Sequence, residues 1–133
     1  MHLDLVTYVV PDYDEAIAFL TDVLGFELAE DAPAETNDGR PKRWVVVRPP
    51  GGGTGLLLAR ADGADQEVAV GRQTAGRVTF FLRVEDFATA RERLAAHRVE
   101  LVGEVRHEVY GDLQVFRDPY GNAWDLLGPA MRG

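Results

Sequence analysis

Apolar and β-branched residues run from Leu3 to Val10 and stop at Pro11. That pattern predicts a buried strand. Asp12 follows as an N-cap, with Glu15 three residues later in a capping-box-like pair. Ile17, Leu20 and Leu24 recur at helical spacing, and Ala16, Phe19 and Val23 widen the stripe. Gly25 suits the position just past a helix end, and Phe26 can pack back on the last turn. The spacing therefore predicts a helix over Tyr13–Leu24 and a strand over Phe26–Glu30. Two prolines and the Asn37-Asp38-Gly39 run predict a mobile loop over Asp31–Lys42. Arg43–Arg48 and Leu56–Arg60 read as strands on either side of a Gly- and Pro-rich turn. Gly51-Gly52-Gly53 in that turn is not a phosphate loop, because neither a helix nor the required Lys follows it. Ala61–Gly76 is polar and aperiodic, a connector with a short helical turn.

The pattern then returns. Arg77–Val84 reads as a strand, and Asp86 caps a second helix. Phe87, Ala90 and Leu94 form its inner face, with Arg91, Glu92 and Arg93 outside. Glu100–Val105, Leu113–Arg117 and Ala123–Leu127 read as strands. Val10-Pro11-Asp12-Tyr13 lines up with Val84-Glu85-Asp86-Phe87, and in that register Leu5 meets Thr79, Ala16 meets Ala90 and Leu20 meets Leu94. The chain is internally duplicated. The expected fold is α+β: two tandem βαβββ modules forming a curved, mixed eight-stranded sheet around a groove, with helices on the outer face. The expected division is a single domain over 1–133, with module one at 1–60, a connector at 61–76 and module two at 77–128.

The most informative stretch is Phe116–Leu127, FRDPYGNAWDLL. Asp118-Pro119-Tyr120-Gly121-Asn122 has turn chemistry. Alternation then puts Trp124 and Leu126 on one strand face and Asp125 on the other. Trp124 reads as core beneath a helix. A carboxylate inside an apolar strand must face solvent, pair with a cation such as Arg83 or Arg117, or line a polar cavity. Arg83 itself reads first as an ion pair at a strand end, and second as an anion-binding guanidinium.

Composition narrows the functions. The chain has 133 residues, 46% apolar and 27% charged, with no cysteine and a net charge of −8. The acidic balance argues against nucleic acid and anionic membranes. No run of 18 apolar residues offers a membrane span. The first residues lack a signal-peptide pattern, so a cytoplasmic location is expected. A small ligand or a protein partner remains. The three histidines do not share a strand or a helical spacing. His2 lies near a frayed end, His97 at a helix C-terminus, and His107 in a loop before Gly111. Arg98 follows His97 where a glycine often ends a helix, so a positive φ is expected there.

The paired modules, VVPDYDEAIAFLTDVLGFEL and VFRDPYGNAWDLL together resemble the vicinal oxygen chelate superfamily. This is the glyoxalase I, bleomycin-resistance protein and extradiol dioxygenase group. The resemblance implies four metal-ligand positions, on the first and last strand of each module, and these carry over to Leu5, Leu57, Thr79 and Asp125. Two leucines and a threonine cannot complete a metal's donor set. No metal and no cofactor are therefore expected. The resemblance implies a small organic ligand sequestered by a homodimer, in a groove lined by Leu5, Thr7, Trp44, Leu57, Thr79, Phe81, Arg83 and Asp125. The alternatives are a metal-dependent lyase or dioxygenase of the same superfamily, or a metal-free isomerase or lyase using Asp125.

Overall fold

The computed structural model describes residues 1–130. The chain forms two compact units, residues 1–70 and residue 71 onward. The first holds β1 (Leu5–Val10), α1 (Tyr13–Ala18), β2 (Glu27–Glu35), β3 (Pro41–Arg48), β4 (Gly55–Arg60) and α2 (Ala64–Ala69). Its sheet order is β1-β4-β3-β2, with β1 parallel to β4 and the other pairs antiparallel.

The Asp12 carboxylate caps α1 by accepting from Glu15 N at 2.8 Å. Past Ala18 the helix widens into a π turn, Phe19–Val23, with Leu24 N bonded to Phe19 O at 3.3 Å. Thr21 Oγ1 donates to Ile17 O at 2.8 Å, and such back-bonding competes with the regular ladder. Gly25 takes φ +80° and Phe26 N closes onto Leu20 O at 2.9 Å, so the helix ends where the sequence places it. Tyr8, Val10, Val45, Val47, Leu56 and Leu58 share one sheet face by register and are buried, as are Ala16 and Leu20.

The loop expected at Asp31–Lys42 is largely strand. β2 continues to Glu35 and pairs with β3 up to Pro41. Only the Thr36–Arg40 tip turns, with Thr36 N bonded to Arg40 O at 2.8 Å. Pro33 is tolerated because β2 is an edge strand of its sheet. The Arg43 guanidinium clamps Asp31 across the hairpin at 2.7 and 3.1 Å, a contact with no periodicity to announce it.

The second unit holds β5 (Phe80–Arg83), α3 (Phe87–Ala96), β6 (Glu100–Glu108), β7 (Gly111–Arg117) and β8 (Ala123–Leu127). Its order, β5-β8-β7-β6, repeats that of the first unit element for element. The duplication read from the sequence is thus present in the strand pairing. Asp86 caps α3 through Thr89 N at 3.0 Å, and Leu94 is buried. His97 is the C-cap and Arg98 takes φ +59°, as expected.

Two boundaries and one side-chain direction differ from expectation. β5 begins at Phe80, because Thr74 and Arg77 form a turn upstream: Arg77 N bonds Thr74 O at 3.1 Å and Thr74 Oγ1 donates to Arg77 O at 2.8 Å. β6 extends to Glu108 through a bulge between Val102 and Arg106. His107 therefore lies on a strand, its Nδ1 2.6 Å from Asp112 Oδ1 on β7. Arg91 turns inward, donating from Nε to the buried Gln114 Oε1 at 2.9 Å.

Candidate functional site

By register the candidate residues fall on the sheet face opposite Tyr8, Val45, Val47 and Leu58 in the first module, and opposite Trp124 and Leu126 in the second. In the first module Thr7 pairs with Leu57, Leu57 with Val46, and Leu5 with Gly55. Trp44 is two residues from Val46, so it shares their face. It is 40% exposed, and its Nε1 donates to Glu30 Oε2 at 3.1 Å. That bond pins the indole to the neighbouring strand. The register therefore brings Leu5, Thr7, Trp44 and Leu57 onto one face.

In the second module Asp125 sits between Phe81 on β5 and Val115 on β7. Phe81 is 65% exposed, whereas Asp125 is only 7% exposed and its Oδ1 has no hydrogen-bond partner. Burial pushes its carboxyl above the usual range, and the Arg106 charge opposes that shift. The ion pairs considered for Asp125 do not form. Arg117 pairs with Glu100 at 3.1 Å. Arg83 donates to the carbonyls of Gly128 at 2.6 Å and Tyr110 at 3.1 Å, so its strand-end ion pair is replaced by backbone contacts. Thr79 N bonds Ala123 O at 2.8 Å, and its hydroxyl lies 2.9 Å from Thr74 Oγ1. Trp124 is core, 1% exposed, stacked on Phe116 with ring centroids 5.6 Å apart.

The sequence reading missed a pocket of about 350 Å³ in the first module. It lies where the Thr36–Arg40 tip, the start of β3, the end of β4 and Tyr13 converge. Arg40, Lys42, Arg43 and Arg60 line it, against one lining carboxylate, Asp62. Arg40 bridges Asp38 at 3.0 Å and Asp62 at 2.7 Å, and Arg43 bridges Asp31 at 2.7 Å and Asp14 at 2.9 Å. Hydrogen bonds hold three of these carboxyls below their usual range: from Arg43 at Asp31, from Arg40 at Asp62, and from Thr36 and then Arg40 at Asp38. The guanidiniums of Arg43 and Arg60 lie 5.1 and 5.3 Å from the Tyr13 ring centroid. The available signal was Arg40-Pro41-Lys42-Arg43, a basic run in an acidic chain.

A divalent metal does not fit these residues. Among the described residues no group of three or more His, Cys, Asp or Glu side chains is placed to hold one. At the four positions implied by the resemblance, Leu5 and Leu57 offer no donor and Thr79 offers only a hydroxyl.

Two βαβββ modules in tandem, each with the same strand order and an Asp-capped helix, define the class. The chain belongs to the Glyoxalase/Bleomycin resistance protein/Dioxygenase superfamily, which matches residues 2–126. An uncharacterized protein of Shewanella frigidimarina is 45% identical over 123 residues, covering 92% of this chain and 89% of that one. Among solved structures, TnmS3, an antibiotic binding protein from Streptomyces sp. CB03234, is 27% identical with a TM-score of 0.74, over 98% of this chain and 97% of that one. A superfamily member from Sphaerobacter thermophilus is 25% identical, also with a TM-score of 0.74, over 96% and 97%.

Proposed function

We propose that the chain is a metal-free small-molecule-binding protein, which sequesters a largely apolar organic ligand. Each module offers candidate ligand contacts of its own: Leu5, Thr7, Trp44 and Leu57 in the first, and Thr79, Phe81, Arg83 and Asp125 in the second. The observation that carries this reading is the pair of aliphatic side chains, Leu5 and Leu57, at two of the four positions the resemblance implies for metal ligands. The likeness to an antibiotic binding protein supports it. The reading includes a cytoplasmic homodimer. A pairing surface is suggested by the exposed Phe81 and by β2 and β6, each an edge strand of its own sheet.

The test is a panel of apolar, drug-like compounds that includes bleomycin. A true ligand at a hundred times its Kd adds about 2.7 kcal/mol of stability and raises Tm. Unchanged Tm across the panel overturns the reading. Titration with Ni²⁺, Zn²⁺ or Fe²⁺ gives no tight binding; a stoichiometric complex overturns the metal-free part. Sedimentation equilibrium checks the dimer.

Asp125 favours one second reading, a metal-free isomerase or lyase with this carboxylate as general base. Its burial and its unpartnered Oδ1 push its pKa upward, the direction that strengthens a carboxylate as a base. Bound compounds recovered chemically unchanged after long incubation exclude it.

A further inference from the structure

The pocket of the first module has a charge pattern that the proposed function does not use. Two of its four cations are neutralised: Arg40 by Asp38 and Asp62, Arg43 by Asp14 and Asp31. These bridges fix the walls. Asp62 is further held by Gln66, whose Oε1 accepts from Asp62 N at 2.9 Å. The other two cations, Lys42 and Arg60, have no carboxylate within ion-pair distance among the described residues; Asp62 acts on Arg60 only at longer range. Arg60 lies over the Tyr13 ring, which covers one guanidinium face and leaves the N–H edge available. Trp44 and Leu57 line the same pocket. Glu30 beside Trp44 is engaged by the indole N–H. The four aspartates bonded to Arg40 and Arg43 offset those two guanidiniums, so the feature that needs a reason, in a chain of net charge −8, is a pair of lining cations, Lys42 and Arg60, with no carboxylate partner of their own. Solubility does not supply one, since unpaired cations here reduce the net charge.

We infer that this pocket receives the acidic end of the ligand: an oxyanion, carboxylate or phosphate, carried on a flat apolar body. Lys42 and Arg60 hold the charge, and Trp44 and Leu57 hold the body. The inference rests on the small-molecule-binding reading, because Trp44 and Leu57 belong to both. It adds a ligand class, organic acids with an aromatic frame. A cation with five donors and one with three, set around a cavity of about 350 Å³, match an oxyanion better than any neutral polar group.

The experiment is calorimetric titration of the full chain with 2-naphthoate, its neutral counterpart 2-naphthamide, and 2-naphthyl phosphate. The acids bind saturably, and the amide binds at least about tenfold more weakly. Raising NaCl from low concentration to 0.5 M weakens the acids and leaves the amide unchanged. The double substitution Lys42→Gln/Arg60→Gln lowers acid affinity at least about tenfold without altering amide affinity, while Lys42→Arg retains acid binding. Retained amide binding also shows that the double variant is folded. Acid and amide binding alike, or acid binding unaffected by the double substitution, overturns this inference and leaves the small-molecule reading standing. If none of the three binds, the inference falls; the small-molecule reading falls only if the wider apolar panel fails as well. Carboxylate and phosphate are distinguished by which acid binds tighter.

Discussion

Trp124 Nε1 donates to Asp118 Oδ2 at 3.0 Å, tying the last strand back to the turn that introduces it. The same carboxylate accepts from Tyr120 N at 3.0 Å, from Asn122 N at 2.9 Å and from Asn122 Nδ2 at 2.9 Å. Asp118 is 5% exposed, Asn122 2% and Trp124 1%. One buried acid thus satisfies donors that would otherwise lie dry in the interior. This gives the reason for Asp118, Asn122 and Trp124 standing at this spacing in DPYGNAW: the turn is built around the carboxylate.

Asp118→Ala therefore orphans a buried indole N–H and an amide at once. The expected loss is about 3 kcal/mol or more, read as a lower urea midpoint. Trp124→Phe removes one donor along with its bond and costs less, about 1–2 kcal/mol. Equal losses in the two variants would show that packing, and not the hydrogen-bonded hub, dominates here.

Asp125, seven residues beyond Asp118, is the opposite case. Its Oδ1 is buried without a partner, and burial raises its pKa above the ordinary 3.8. A carboxyl with a raised folded pKa favours the folded state below the unfolded value and loses that contribution as pH climbs through the folded value. The ionised form of this side chain is therefore a burden to the fold. Asp125→Asn is expected to raise stability at pH 7, on the order of 1 kcal/mol, with the gap closing as pH falls toward 4. Thermal melts at a series of pH values check this. A less stable variant at pH 7 would mean that the carboxylate has an ionic partner in solution.

The features legible in the sequence were local ones. Asp12 and Asp86 announce helix starts because an N-cap needs only a short polar side chain three residues before its donor. The duplication follows from those caps and the strands around them. β2 was not legible beyond Glu30, since Pro33 and the acids hide a strand whose pairing is supplied from β3. Parity groups Arg83 with Phe81, as the β5–β8 register does, yet a long side chain can end far from its Cβ, and this one reaches the Tyr110 and Gly128 carbonyls. The basic pocket depends on Arg60 and Tyr13 meeting Arg40–Arg43 in space, which no spacing rule encodes.

Arg98 tests a backbone term in isolation. Its φ of +59° is left-handed, and its N–H bonds Ala95 O at 3.0 Å, a bond that glycine keeps. Relieving the Cβ clash favours Arg98→Gly by roughly 1 kcal/mol, even after glycine's greater freedom in the unfolded chain is counted. A higher Tm is the expected result. A lower one would mean that the arginine side chain stabilises the helix end by more than its backbone strain.

Gly71 carries the sharpest steric prediction. It sits at φ +75°, and a Cβ there would come within 2.0 Å of Tyr120 O and 2.9 Å of Tyr120 C. Both obstacles are backbone, so no rotamer change relieves them. The turn cannot retreat freely either, because Tyr120 N and Asn122 N are both held by Asp118 Oδ1. Strain at Gly71 is thus transmitted to the hub that carries Trp124. Gly71→Ala is expected to cost about 3 kcal/mol or more, combining left-handed backbone with overpacking. Gly76→Ala is the matched comparison, with φ +93° but open space around its would-be Cβ. It is expected to lose only the conformational part, about 1–2 kcal/mol. Urea denaturation of the two variants separates the terms, and indole fluorescence of the first should report a disturbed Trp124. Equal losses would mean that the Tyr120 peptide yields, and that the turn is softer than its four hydrogen bonds to Asp118 imply.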